Sequence, residues 1–126
     1  MSIVTGMMSV SIEVADQDKA LTFYRDVLGC QLQTDLEVWP GARLVEVVAP
    51  GSSVAIALLT RGSGLPIGVR YLTGDAEEAH RALTAAGVTP HQSVLYTDFA
   101  PPMFTFDDPD GNTVILIQDS GEPRDS

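Results

Sequence analysis

The sequence predicts an α+β fold of two tandem β-α-β-β-β modules, and three observations carry that prediction. The chain repeats itself at an offset of 58 to 59 residues: Val10 to Cys30 reads strand, Asp, helix, Gly, and so does Val69 to Val88. Asp16 matches Asp75, Ala20 matches Ala79, and Gly29 matches Gly87. The first strand alternates, with Val10, Ile12 and Val14 apolar and Ser9, Ser11 and Glu13 polar, so one face packs and the other meets something polar. Turn residues then punctuate the rest at Pro40-Gly41, Pro50-Gly51 and Asp110-Gly111.

Each element has its own signal. Asp16 is placed to cap a helix over residues 17–28, with Ala20, Phe23, Tyr24, Val27 and Leu28 at helical spacing on an inward face. Gly29 ends it by taking positive φ. Strands follow at about Gln31 to Glu37, Ala42 to Val48 and Ser53 to Leu59. In the second half Asp75 caps a helix over residues 76–86, where Ala79, Ala82, Leu83 and Ala86 face inward. Its strands are expected at about Thr89 to Leu95, Met103 to Phe106 and Thr113 to Gln118. "TRGSGLP", Thr60 to Pro66, links the halves. The expectation is a single domain over residues 1–119, with modules at about 7–60 and 66–119 and a polar, flexible tail at 120–126.

Composition narrows the function. A net charge of −10 argues against nucleic acid or anionic membranes as partners, since both attract basic patches. One cysteine, Cys30, excludes an intrachain disulfide and a cysteine-based zinc site, and it reads as a small core residue. The N-terminus lacks the basic and apolar regions of a secretory signal, and no apolar run approaches the roughly 20 residues of a membrane span. A cytoplasmic protein is expected.

"FYRDVLG", Phe23 to Gly29, and "FDDPDGNTVILIQ", Phe106 to Gln118, resemble signatures of the vicinal oxygen chelate superfamily, which includes glyoxalases, extradiol dioxygenases and bleomycin-binding resistance proteins. The resemblance covers about residues 7–119. It implies the glyoxalase-like fold, in which paired modules curl into a cup-shaped, partly open barrel around a ligand. It also implies a homodimer. Metal-dependent members place a His or Glu on the first and last strands of each module. Carried over residue by residue, those positions are Ser9, Ala57, Gly68 and Ile115. Gly, Ala and Ile cannot ligate a divalent cation, and a lone Ser is a poor ligand. No metal and no cofactor are therefore expected. The spacing of Asp108, Asp110 and Asn112 approaches a calcium loop, but its Gly comes one place early and no Glu closes it, so it reads as a turn.

The remaining candidates are binding residues. Ser11 and Glu13 share the face of Ser9, Arg70 shares that of Gly68, and Glu46 alternates with Val45 and Val47. Each carboxylate has a structural reading beside the functional one, the weightier of the two for Glu46, and a salt bridge from Arg70 to Glu13 or Glu46 competes with a ligand contact. Trp39, in a loop, suggests an aromatic clamp with Tyr96 and Phe99, against packing on a second subunit. Phe104 completes the ligand-binding set. His80 reads as a solvated helix residue and His91 as a loop residue. No catalytic residue can be named. The reading is a protein of this family that lacks the metal ligands and binds a small hydrophobic or planar molecule in the cup. The alternative is an enzyme of lyase, isomerase or dioxygenase type, with relocated metal ligands or none. A domain that only mediates assembly is the third possibility.

Overall fold

The computed structural model describes residues 2–119; the expected tail at 120–126 lies outside the described residues. The described chain is mixed α+β, with seven strands and two helices, and falls into two compact units. One unit is continuous, residues 9–67, and the other joins residues 2–8 to 68–119. Strand β1 (Gly6–Glu13) begins in the second of these and ends in the first.

In the continuous unit, Asp16 caps α1 (Gln17–Thr22), its carboxylate accepting from Lys19 N at 3.0 Å. The helix then widens into a π-helical turn, Phe23–Val27, with Leu28 N donating to Phe23 O. This overturns the expected inward face. Leu21 is buried and Ala20 and Tyr24 pack on the core, while Phe23, Val27 and Leu28 are exposed. Phe23 and Val27 lie one step off the stripe of Ala20 and Tyr24, and the π turn carries Leu28 off it as well.

Strands β2 (Gln31–Trp39), β3 (Ala42–Val48) and β4 (Ala55–Leu59) follow, hydrogen-bonded in the order β2-β3-β4-β1. Strand β4 starts two residues later than expected because Ser52 turns the chain, its hydroxyl accepting from Val54 N. The pairing of β1 with β4 is parallel and the other two pairings are antiparallel. Val45, Val47 and Leu58 point to α1 and form its core with Leu21. Burying each such side chain contributes about 1.5–3 kcal/mol. Gln17 clamps the helix down, its side-chain amide donating to Arg43 O and Leu58 O at 2.8 Å each.

The other unit repeats the plan with β5 (Val69–Thr73), α2 (Ala76–Ala85), β6 (Met103–Asp107) and β7 (Thr113–Gln118), ordered β5-β7-β6. Asp75 caps α2 by accepting from Glu78 N. Ala76, Ala79, Val94, Phe104 and Leu116 make its core, with Leu83 partly buried against them; Ala82 and Ala86 are exposed, against expectation. The expected strand at 89–95 does not form. Pro90 has no N–H to offer a ladder. The Gln92 side chain takes the place of a backbone carbonyl by accepting from Thr105 N at 2.9 Å. From the expected pairing, the bridge of Leu95 to Met103 and the bond from His91 N to Thr105 O survive among the described residues.

The β6–β7 connection shows why its acidic turn is self-contained. Asp108 accepts from Asp110 N, Asn112 N and the Asn112 amide, all at 2.9 Å, and Gly111 takes φ +88°. The Asn112 amide, with the backbone N–H groups, holds the Asp108 carboxyl below its usual range.

Candidate functional site

Side chains alternate along a strand, so the register fixes which residues share the face turned away from each helix. In the continuous unit the rows are Ser9 with Ala55 and Val48, and Ser11 with Ala57 and Glu46. Four predicted residues, Ser9, Ser11, Ala57 and Glu46, are thus brought together, and all are buried. Ser9 is fully buried, and its hydroxyl has no hydrogen-bond partner among the described residues. Buried hydroxyls are almost always paired, so an orphan is a place where a partner is expected.

Glu13 is at the end of the same face, but its carboxylate meets Arg61, with Nη2 2.6 Å away and Nε donating at 3.1 Å. Trp39 lies at the far end of β2, where it pairs with Ala42. Its indole Nε1 donates to Ser63 O at 3.3 Å and its ring covers Gly64.

In the other unit the matching row is Arg70, Ile115 and Thr105. Arg70 and Ile115 are buried on the face opposite α2. Gly68 is fixed by sterics: a Cβ there would lie 2.2 Å from Thr113 O and 3.2 Å from Ile115 Cδ1. Phe104 is on the other face, fully buried in the helix core, with the His80 ring edge-on at 4.9 Å. His80 is itself half-buried rather than solvated, and donates from Nε2 to Gln92 O.

Thr105 is the residue that the sequence reading missed. It stands where Glu46 stands in the other unit, 59 residues on, and that offset alone would have found it. His91 bridges it to Asp107. Nε2–H donates to the carboxylate at 3.2 Å, which leaves Nδ1 to accept from the Thr105 hydroxyl at 2.7 Å. These bonds stitch the 89–95 segment to the edge of β6. Tyr96 bonds the Glu77 carboxylate on α2, which raises its hydroxyl above the ordinary value. A cleft of about 270 Å³ also opens in this unit between the N-terminal segment and the start of α2, lined by Thr5, Thr73, Asp75 and Glu78 among others; none of the sequence candidates borders it.

A divalent metal does not fit the four positions that the resemblance carries over. Ala57 and Ile115 offer no donor, Gly68 has no room for one, and Ser9 brings a single hydroxyl. No group of three or more His, Cys, Asp or Glu side chains placed to hold a metal occurs among the described residues. Nor is any described helix long and apolar enough to cross a membrane.

Comparison with known proteins places the chain. Methylmalonyl-CoA epimerase from Mycobacterium tuberculosis is 26% identical, with a TM-score of 0.80 over 95% of this chain and 91% of that one. A glyoxalase/bleomycin resistance protein/dioxygenase superfamily member from Sphaerobacter thermophilus DSM 20745 is 32% identical over 94% of this chain and 100% of that one, with a TM-score of 0.45. TnmS3, an antibiotic binding protein from Streptomyces sp. CB03234, is 26% identical over 95% and 100%, also at 0.45. No curated protein matches. The model of one family matches residues 6–116, and the chain belongs to that family, the glyoxalase/bleomycin resistance protein/dioxygenase superfamily.

Proposed function

We propose that this protein binds a small hydrophobic or planar molecule without a metal, on the sheet face that carries Ser9, Ser11 and Glu46 among alanines and leucines. The observation that supports it is the buried, unpartnered Ser9 hydroxyl at a position where the family's metal-dependent members carry a ligand. An unpaired buried hydroxyl costs about 1–3 kcal/mol, and a ligand that bonds it recovers part of that cost. Membership of the superfamily, whose name includes resistance proteins, is consistent with this reading.

The test couples metal analysis to ligand screening. Protein purified without chelator is expected to carry far less than one equivalent of Zn, Fe, Mn, Ni or Co. A thermal-shift screen of planar and hydrophobic compounds is expected to find ligands that stabilise by mass action, with the shift reduced in Ser9→Ala. A stoichiometric metal lost in Glu46→Ala would overturn the metal-free reading.

A second reading is enzymatic, and the similarity to methylmalonyl-CoA epimerase favours it. Turnover of methylmalonyl-CoA, abolished in Glu46→Gln, would establish it. We further propose a homodimer, supported by the exposed apolar side chains of Phe23, Val27 and Leu28. Sedimentation showing only a 13.4 kDa species at micromolar concentration would refute it.

A further inference from the structure

We propose that the cleft between the N-terminal segment and the start of α2 is a second binding site, which takes a small primary amine as its ammonium on Thr73, Asp75 and Glu78; the proposal stands apart from the sheet-face reading above. Asp75, Glu78, Ala79 and Ala82 recur at helical spacing, so one stripe of α2 makes one wall of the cleft. Ile3 lines it from the N-terminal segment and packs on the α2 core. That segment is tied to β5, where Thr5 N donates to Leu72 O at 2.8 Å. Thr73, the last residue of β5, also lines the cleft, on the face of Tyr71 that packs toward α2.

Three acceptors border this cleft without the partners that such groups ordinarily have. Thr73 is 2% exposed, yet its hydroxyl makes no hydrogen bond among the described residues. Glu78 stands where a capping box would turn its carboxylate back to the Asp75 N–H, and that bond does not form among the described residues. The Asp75 carboxylate accepts from Glu78 N at 3.1 Å and from nothing else described. No lysine or arginine pairs with Asp75 or Glu78 among the described residues, whereas Tyr96 already bonds their neighbour Glu77. Two full negative charges outweigh the helix end, which carries roughly half a positive one, so the cleft repels anions and draws cations. The net charge of −10 steers in the same direction. An ammonium has three donors and no acceptor, which matches two carboxylates and a hydroxyl. Two carboxylates are too few for a protein-held metal, and no group of three metal-binding side chains occurs among the described residues. Ile3, Ala79 and Ala82 supply an apolar surface for a short alkyl chain. The volume of about 270 Å³ is room for about nine waters at liquid density, so the ligand is small.

The experiment titrates the nitrogen-15-labelled chain at pH 7 and low salt with butylammonium chloride and follows its amide signals by NMR. Butanol, which has the same body without the charge, and butyrate, which has the opposite charge, serve as comparisons. Butylammonium is expected to shift the Gly74, Glu78 and Ala82 amides saturably, with a dissociation constant in the millimolar range because both carboxylates are exposed. Butanol is expected to bind at least about tenfold more weakly, since it brings no charge to the carboxylates, and butyrate not at all. Thr73→Val, which keeps the side-chain shape, is expected to weaken binding by about three- to tenfold. Glu78→Gln is expected to weaken it by about two- to fivefold. Glu78 is exposed, so Glu78→Gln carries the test even if Thr73→Val does not fold. Shifts that do not saturate, equal affinity for butanol, or affinity unchanged in Glu78→Gln overturn the proposal. So does calcium chloride if it saturates the same signals at lower concentration than butylammonium, because the site would then be one for a metal ion.

Discussion

The two units share a backbone plan and part company on one face and one strand. Ser11, Ala57 and Glu46 in the continuous unit stand in the register of Arg70, Ile115 and Thr105 in the other. The helix faces kept their apolar character in both, since each helix must bury a stripe against its sheet. The opposite faces diverge: they differ in size at every position of that row, and in charge where Ser11 answers Arg70 and Glu46 answers Thr105. Core packing constrains a repeat through volume, whereas a ligand face is constrained only by what it contacts. The second strand shows the same contrast: β2 is nine residues long in one unit, while in the other its place is taken by a segment held by a few backbone bonds and by the Gln92 and His91 side chains.

The largest effect that would test this contrast is in the conserved part. Phe104→Ala removes a fully buried ring from the α2 core and is expected to cost about 3–5 kcal/mol in urea unfolding. A cost near zero would mean that this core does not depend on the residue. The sharpest test pairs two equivalent positions with opposite expectations. Gly68→Ala drives a methyl against the Thr113 carbonyl and is expected to destabilise by about 1–3 kcal/mol. Ser9→Ala removes an unpaired hydroxyl and is expected to be neutral, or stabilising by up to about 1 kcal/mol. Equal effects at the two positions would erase the distinction drawn between the faces.

Next in size is the stitched segment. Gln92→Ala leaves the Thr105 N–H without its acceptor and is expected to cost about 1–3 kcal/mol, with faster amide exchange at Thr105 but not across β2 and β3. The smallest effect is acid sensitivity. The Arg43 side chain holds the Asp35 carboxyl below its usual range in one unit, and Asn112 does so for Asp108 in the other. Carboxyls depressed in the fold stabilise it fully above the unfolded value of about 4 and lose that contribution as pH falls through their lower folded values. Urea midpoints should therefore be flat from neutral pH to about 5 and decline below 4, with a shallower decline in Asp35→Asn or Asp108→Asn alone.

Much of this was legible in the chain. Asp16 and Asp75 cap as their spacing predicts, and seven of the eight expected strands form because alternation and turn residues agree there. The helix after Asp16 was misread in its second half. A π turn is set by which carbonyl each N–H selects, and the apolar pattern Phe23, Val27, Leu28 reads the same for either choice. The strand at 89–95 failed for a similar reason. Thr89 to Leu95 has strand composition, but the Gln92 side chain takes the Thr105 N–H and leaves only the Thr105 carbonyl to a backbone partner, His91 N. On the candidate faces, period two placed Ser9, Ser11, Glu46 and Arg70 together by unit. It could not foresee that Arg61, in the link, reaches Glu13, because that contact joins residues 48 apart.

Strand β1 begins in one unit and ends in the other, and this orders the birth of the molecule on the ribosome. Every residue of the continuous unit has been made once residue 67 emerges. The opening residues of the chain must wait, because Thr5 N donates to Leu72 O and the strands beyond it are still unmade. Synthesis of residues 68–119 takes about 3–10 s at ordinary elongation rates. For that interval the nascent chain carries an N-terminal strip whose partner does not yet exist, beside a half that already has all of its own.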